Sequence, residues 1–173
     1  IGASGAAEFP HVHLSVRRNG EKIDPASGRT VGAGCSSGPA FAGTLFDPAA
    51  VAALSKGSTA VLGLGLAAAP VDYARLVVEG GPQTPPAGGD AAIVWAWVNN
   101  LSKGDTLAFR MTAPDGTPFY EGSSPPVDSS KAAYSAFAGR KRPLAPGVWT
   151  VSVDVVRSGE TVVSESRRID VKG

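Results

Sequence analysis

Short segments that alternate between apolar and polar residues, each followed by a turn signal, fill the chain from about residue 58 onward. Alternation with a period of two is the pattern of a β-strand that buries one face. The clearest pair of such segments, 149–156 and 163–171, is joined by the turn Arg157-Ser158-Gly159-Glu160. Strands of this length, with a turn about every ten residues, predict an all-β, immunoglobulin-like β-sandwich over residues 58–173.

Other segments in this half fit the same prediction. Residues 91–98 are apolar on both faces, which is typical of a central strand. The chain has 22 Gly and 14 Pro among 173 residues, and this favours many turns and disfavours long helices. The additional predicted strands are 60–66, 74–79, 91–98 and 106–113, with a Pro/Gly-rich loop at 82–89.

One short helix is predicted before the sandwich. Asp47 is a suitable N-cap, Pro48 suits the first turn, and Lys56-Gly57 ends the segment. The residues before it, 26–45, are rich in Gly and Ser and show no periodicity. We therefore interpret residues 26–57 as a linker that contains a short helix.

The only two histidines, His11 and His13, are two positions apart in a segment that resembles a strand. In a strand, residues i and i+2 project to the same side, so both imidazoles are expected on one face. Such a pair can bind a transition metal, or one ring can bind metal while the other moves protons. It can equally have no function. Asn19-Gly20, a strong hairpin signal, and Asp24-Pro25 follow.

A family resemblance rests on these features. The run Phe9-Pro10-His11-Val12-His13-Leu14-Ser15-Val16-Arg17, with Asn19-Gly20 and Asp24-Pro25 after it, resembles the last core strand of the lysostaphin/LytM-type zinc endopeptidases. Those enzymes cut peptides in bacterial peptidoglycan. The resemblance implies that His13 is a zinc ligand and that His11 orients or deprotonates the attacking water. It also implies peptidoglycan peptides as substrate and a location in the bacterial cell envelope, periplasmic or secreted.

The chain departs from the family in its ligand set. The family takes two further ligands from an upstream His-x-x-x-Asp element, and this chain contains no third histidine. Residues 1–25 are therefore interpreted as the C-terminal remnant of a peptidase domain, in a chain that opens at Ile1 and is read as a fragment. The missing N-terminal part of that domain is an expected partner. The parent is expected to be a zinc-dependent endopeptidase, and the fragment alone to bind zinc weakly or not at all and to be inactive.

An alternative from another functional class remains open. The β-sandwich also looks like the C-terminal β-domains of some proteobacterial members of the same family, over about residues 74–172. The chain could be a non-catalytic module that binds peptidoglycan or a partner protein and regulates other cell-wall hydrolases, with the H-x-H strand a relic. A His-x-x-x-Asp pair upstream would favour the enzyme, and its absence would favour the module.

Few other residues are candidates for chemistry. Trp95 and Trp97 share one face of a predicted strand, either as core residues or as an aromatic platform for a glycan or the catalytic domain. Cys35 is a spectator thiol or a partner for a cysteine elsewhere. The basic run Arg140-Lys141-Arg142 is interpreted as a solvated turn, and six carboxylates as caps or solvated turn residues: Asp72, Asp90, Asp105, Asp115, Glu121 and Asp128.

Composition limits the partners. The net charge of +1 favours neither nucleic acid nor an acidic membrane surface. The longest apolar stretch, residues 59–70, is too short to cross a bilayer. Neither nucleic-acid binding nor a membrane span is therefore expected in this chain.

Overall fold

The computed structural model describes residues 13–34, 39, 41–55 and 58–173. The chain divides into two compact units, Ile1–Gly57 and Ser58–Gly173. In the second unit, seven strands form two antiparallel sheets, and the only helix described there is short. The predicted all-β class is therefore confirmed.

The first unit contains a hairpin of two short strands, β1 (Val16–Arg18) and β2 (Glu21–Ile23). Val16 pairs with Ile23, and the turn between the strands is the predicted Asn-Gly pair. Asn19 and Gly20 have φ angles of 51° and 84°, and two consecutive positive values are typical of a type I′ turn. The predicted hairpin is confirmed.

The predicted first strand is longer than the observed one. β1 begins at Val16, so His13, Leu14 and Ser15 precede it and belong to no regular strand. The reason is the partner: β2 ends at Ile23 because Asp24-Pro25 starts a turn, and three residues of β2 can pair with only three of β1. His11 lies outside the described residues.

Two capped segments follow the hairpin. The Asp24 carboxylate accepts hydrogen bonds from the Ala26 backbone N–H at 3.0 Å and the Ser27 hydroxyl at 2.6 Å. Helix α1 (Pro48–Ser55) begins where predicted, and Asp47 accepts a hydrogen bond from the Ala50 N–H at 2.7 Å as its N-cap.

The second unit is a sandwich of a three-stranded and a four-stranded sheet. The first has the order β3-β4-β7 and the second β6-β5-β8-β9. Counted within the sandwich, β3, β4 and β7 are the first, second and fifth strands, and β5, β8 and β9 are the third, sixth and seventh, a division that immunoglobulin-like domains share. The fourth strand, β6, joins the second sheet beside β5, whereas in constant-type domains it lies in the first. The bounds are β3 Ala60–Ala67, β4 Ala92–Leu101, β5 Thr106–Thr112, β6 Pro118–Ser123, β7 Lys131–Arg140, β8 Gly147–Arg157 and β9 Glu160–Val171.

The core lies between the two sheets. Alternate residues of β4, β5 and β8 point inward, and most of them are almost completely buried. Trp149, near the start of β8, is the largest side chain with less than 2% exposure among the described residues. Its Nε1 donates to the Ala145 carbonyl at 2.9 Å, and Phe119 meets its ring edge-on at a centroid distance of 4.9 Å. The indole therefore fills the core without leaving its N–H unsatisfied.

One predicted strand is a helix. Residues 74–79 were expected to be extended, but Tyr73–Glu79 forms helix α2. The Asp72 side chain accepts from the Arg75 N–H at 2.9 Å at the start, and Gly80, with φ of 81°, ends the helix. Arg75 and Glu79 pair one turn apart at 3.0 Å. These caps outweigh the β-branched residues that suggested a strand.

Asp105 was interpreted as a cap or a solvated turn residue, and the second alternative is wrong because Asp105 is buried. Arg157 Nε and Nη2 donate to its two carboxylate oxygens at 2.9 and 2.8 Å, and the Ser102 N–H donates at 2.7 Å. Nη2 of Arg157 also donates to the Thr59 hydroxyl at 2.9 Å. The Arg157 hydrogen bonds first, and then that from the Ser102 N–H, lower the pKa of Asp105 despite its burial. This group joins the start of β3, the β4–β5 turn and the end of β8.

The Asp105–Arg157 pair predicts a pH-dependent stability. Asp105→Asn is expected to lower the free energy of unfolding at pH 7 by about 2–3 kcal/mol, less than for a fully buried pair because the Arg157 side chain is 36% exposed. Since folding lowers the Asp105 pKa below its unfolded value of about 3.9, this stabilisation is present above that value. It is lost as the pH falls through the folded pKa. Urea unfolding from pH 7 to pH 2 measures it.

The control is Asp90→Asn, at an exposed position before β4. It is expected to change the free energy of unfolding by less than about 0.5 kcal/mol. A difference between Asp105→Asn and the unsubstituted chain that stays constant down to pH 2 would contradict the role of this ion pair.

Candidate functional site

His13 lies on the surface, three residues before the β1–β2 hairpin. Leu14, beside it, is also exposed. Because His11 lies outside the described residues, the predicted convergence of the two imidazoles stays a prediction. Cys35 also falls outside the described residues.

Polar contacts stabilise the hairpin that follows His13 and the loop after that hairpin. Arg17 donates to the Gly20 carbonyl at 2.9 Å, across the turn, and the Thr30 hydroxyl donates to Glu21 at 3.3 Å. Arg29 donates to the Ala33 carbonyl at 3.0 Å. Ile23 is the one buried apolar residue of this hairpin. The turn and loop thus form a small, ordered platform beside the candidate metal ligand.

A cleft of about 330 Å³ opens beside this platform, and Asp24 is the acidic side chain that lines it. Hydrogen bonds from the Ser27 hydroxyl and the Ala26 N–H lower the pKa of Asp24. The carboxylate already accepts these two bonds, so it stabilises the turn after β2. We assign it a structural role.

The zinc that the family resemblance implies needs several donors besides His13. A catalytic zinc takes three protein ligands and keeps one position for water. Among the described residues, no group of three or more His, Cys, Asp or Glu side chains could hold a metal ion. His13 could supply one ligand, but the described donors do not make up a zinc centre by themselves.

Trp95 and Trp97 lie on the outer face of the three-stranded sheet, and they share that face as predicted. Trp95 pairs with Gly65 on one side and Phe137 on the other. It is only 5% exposed and packs with Leu76 of α2 in a second, smaller apolar cluster. Because the helix covers it, Trp95 is a core residue and not an open platform. Trp97 is partly buried at the margin of this cluster.

Glycines make room for the Trp95 ring. A Cβ added at Gly65 would lie 2.8 Å from its Nε1, and one at Gly81 would lie 2.3 Å from its outer edge. No hydrogen-bond partner for the buried Nε1 of Trp95 or Trp97 exists within the described parts of the chain. Glycines in an apolar strand signal such close approach, so the sequence contained this information.

The comparisons with known proteins identify no family. No protein-family model matches the chain, and no curated protein matches it. Solved structures with similarity include the β-glucuronidase of Bifidobacterium dentium in complex with coumarin-3-O-glucuronide, with a TM-score of 0.39 and 11% identity. The match covers 66% of this chain and 18% of the enzyme's chain. The chain therefore spans less than a fifth of that protein.

In the described ranges, neither α1 nor α2 has the length and apolar character needed to cross a bilayer.

The cover over Trp95 can be tested with two substitutions in α2. Leu76 is 1% exposed and Val78 is 68% exposed, so they form a matched pair. Leu76→Ala is expected to lower the free energy of unfolding by about 2–3 kcal/mol through the lost burial and the cavity. Val78→Ala should cost less than about 0.5 kcal/mol. Urea unfolding gives both values.

Tryptophan fluorescence provides the second measurement for these variants. Leu76→Ala is expected to shift the emission to longer wavelength because water gains access to Trp95. Equal effects of the two substitutions on stability and emission would contradict the assignment of Trp95 as a residue buried beneath α2.

Proposed function

We propose that this chain is the C-terminal part of a zinc-dependent peptidoglycan endopeptidase of the lysostaphin/LytM type, located in the bacterial cell envelope. In this proposal residues 1–25 end the peptidase domain, and residues 58–173 form an accessory β-sandwich. The proposed activity of the parent protein is hydrolysis of the peptides of peptidoglycan. The chain alone is proposed to be inactive.

One observation carries the proposal: the H-x-H pair is followed directly by an Asn-Gly hairpin and an Asp-Pro turn. The observed type I′ geometry at Asn19-Gly20 and the capped turn at Asp24 support this reading of the motif. His13 is exposed and precedes the hairpin by three residues, as the motif requires of a ligand at the surface of a domain remnant. The division of the chain between Gly57 and Ser58 supports a separate accessory domain over residues 58–173.

The proposed roles follow from the resemblance. His13 supplies one zinc ligand, and the remaining ligands belong to the upstream part of the peptidase domain. His11 occupies the position that handles the proton of the attacking water. Bound zinc would polarise the scissile carbonyl and lower the pKa of its water.

The alternative is a non-catalytic module that regulates other cell-wall hydrolases. Its support is a sandwich whose main core lies within residues 58–173, so that this unit could bind a partner as a domain of its own. The two candidates differ in one measurable property, stoichiometric zinc in the parent protein.

The test uses the parent protein with its upstream segment, and the variants His13→Ala and His11→Ala. His13→Ala is expected to weaken zinc binding by more than about 100-fold. Loss of a residue that only supports a ligand costs about 10–100-fold in metal affinity, and loss of the ligand itself should cost more. His11→Ala should keep zinc within a few-fold and slow the hydrolysis of purified peptidoglycan by about 10²–10⁴-fold. Competitive titration with a chelator and release of soluble peptides measure the two effects.

Lys22→Ala is the control, since Lys22 is exposed on β2 in the same hairpin. It should leave zinc affinity and hydrolysis unchanged. A parent protein that contains a His-x-x-x-Asp element yet binds no zinc would overturn the enzymatic proposal, as would tight stoichiometric zinc in residues 1–173 alone. Binding of the zinc-free chain to purified peptidoglycan sacculi would then favour the non-catalytic module.

A further inference from the structure

We propose that the free edge of β7 binds an extended peptide segment of another protein, one with acidic residues at the end that lies beside Arg140, Lys141 and Arg142. The inference goes beyond the proposed endopeptidase function and does not depend on it. It rests on the sandwich of residues 58–173 alone, where four strands lie at sheet edges: β3, β6, β7 and β9.

Two of these edges are protected on the same side of the sandwich. β3 has a register shift between Val61 and Gly63, and Arg167 of β9 donates to the Leu64 carbonyl at 3.1 Å. β9 carries many charges along its length, and charged edges resist pairing with another strand. The charged residues of β9 are Glu160, Glu165, Arg167, Arg168 and Asp170.

The edge of β6 is protected by other means. This strand has only six residues and begins with Pro118, which lacks a backbone donor. Its pairing with β5 shifts register next to Thr112, and Glu121 adds a charge. Short length, proline and irregular pairing all discourage strand addition.

β7 has none of these protective features. It is ten residues long, with no charge and no proline between Lys131 and Arg140. Its pairing with β4 shows no register shift, and β4 is its only partner within the described residues. No described residue forms a hydrogen bond to the backbone of residues 132–139 from the open side. A long, regular edge strand of this kind is a template for pairing with another chain.

There is room for an additional strand beside β7. A groove of about 490 Å³ runs along this edge towards β6, and its lining includes the aromatic residues Phe109, Tyr120, Tyr134 and Phe137. In immunoglobulin constant-type domains, the position next to the fifth strand is filled by the fourth strand. Here the fourth strand, β6, pairs with β5 instead. The edge of β7 is thus a strand position that no described segment of the chain fills.

The charges at the two ends of β7 differ, and this selects the occupant. At the N-terminal end of β7, Lys131 pairs with Asp128 at 2.7 Å. At the C-terminal end, Arg140, Lys141 and Arg142 are exposed, and no described carboxylate forms an ion pair with them. A peptide with acidic residues beside the C-terminal end of β7 would complement the three positive charges there.

A second copy of the chain fits this edge less well. Antiparallel pairing of two β7 strands about their centre would place Lys131 of one copy opposite Arg140 of the other. Like charges directly opposite destabilise a sheet. Asp128, near that end of the second β7, already pairs with Lys131. The charge pattern therefore favours a different chain.

The test uses synthetic eight-residue peptides with two Glu followed by alternating Val and Thr. Two further peptides carry N-methyl groups on one or the other set of alternate residues, since only one set can donate to β7. Fluorescence anisotropy should show binding of the unmodified peptide and a loss of about 10-fold or more for one methylated peptide. Hydrogen exchange should show new amide protection in residues 132–139.

The charge requirement is tested by the double variant Lys141→Glu and Arg142→Glu, with Arg168→Glu and Lys103→Glu as the control of equal charge change. All four positions are exposed. The first variant should weaken binding by about 10-fold at low salt, and the control by less than about 2-fold. Three results would overturn the proposal. They are equal losses of affinity in the two double variants, binding of both methylated peptides as tight as that of the unmodified one, and no binding of the unmodified peptide at about 1 mM. A dimer that protects β7 without peptide would also overturn it.

Discussion

The fold of residues 58–173 depends on the face-to-face packing of two sheets around Trp149. Alternate residues of β4, β5 and β8 supply the two inner faces, and Phe109, Met111 and Val151 are almost fully buried there. Trp149 occupies the core without an unsatisfied donor because the Ala145 carbonyl accepts its N–H. Removal of this apolar surface from water is the main stabilising term, and the strand pairing must keep the register that points these residues inward.

The same packing explains how the surfaces of the three-stranded sheet differ. Its inner face belongs to the main core, whereas the outer face carries Trp95 in a second cluster under α2. The ring of Trp95 occupies the space above Gly65 and beneath Leu76. β7, the far strand of this sheet, has mostly small side chains and contributes little bulk to either cluster. Among the described strands β7 pairs with β4 alone, and this unpaired edge is the basis of the proposed peptide binding.

Part of the sandwich could be predicted from the sequence because several of its strands alternate between apolar and polar residues. β5, β8 and β9 follow this pattern, and the turn at Ser158-Gly159 separates the last two as predicted. Helix α2 could not be found by periodicity in a seven-residue segment with two adjacent valines. Asp72 and Gly80, its caps, were the available signals.

Features that depend on distant partners were beyond sequence reasoning. The burial of Asp105 depends on Arg157, 52 residues later, and no spacing rule links the two. The predicted first strand is too long because β1 can extend only as far as β2 pairs with it, and β2 has three residues. For the candidate site, the sequence supplied His11, His13 and the hairpin. The roles of the histidines come from the family resemblance, and the structure describes only His13 beside a confirmed hairpin.

The two units lead to different functional proposals: a metal site that residues 1–25 help to complete, and a strand-binding edge in the sandwich. The central claim is that His13 is a direct zinc ligand in the parent protein. X-ray absorption spectroscopy of the zinc-loaded parent and its His13→Cys variant tests it directly. The account predicts that the variant replaces one nitrogen at about 2.0–2.1 Å from zinc with one sulfur at about 2.3 Å. A zinc-loaded variant with unchanged nitrogen and oxygen scattering, and no sulfur, would contradict it.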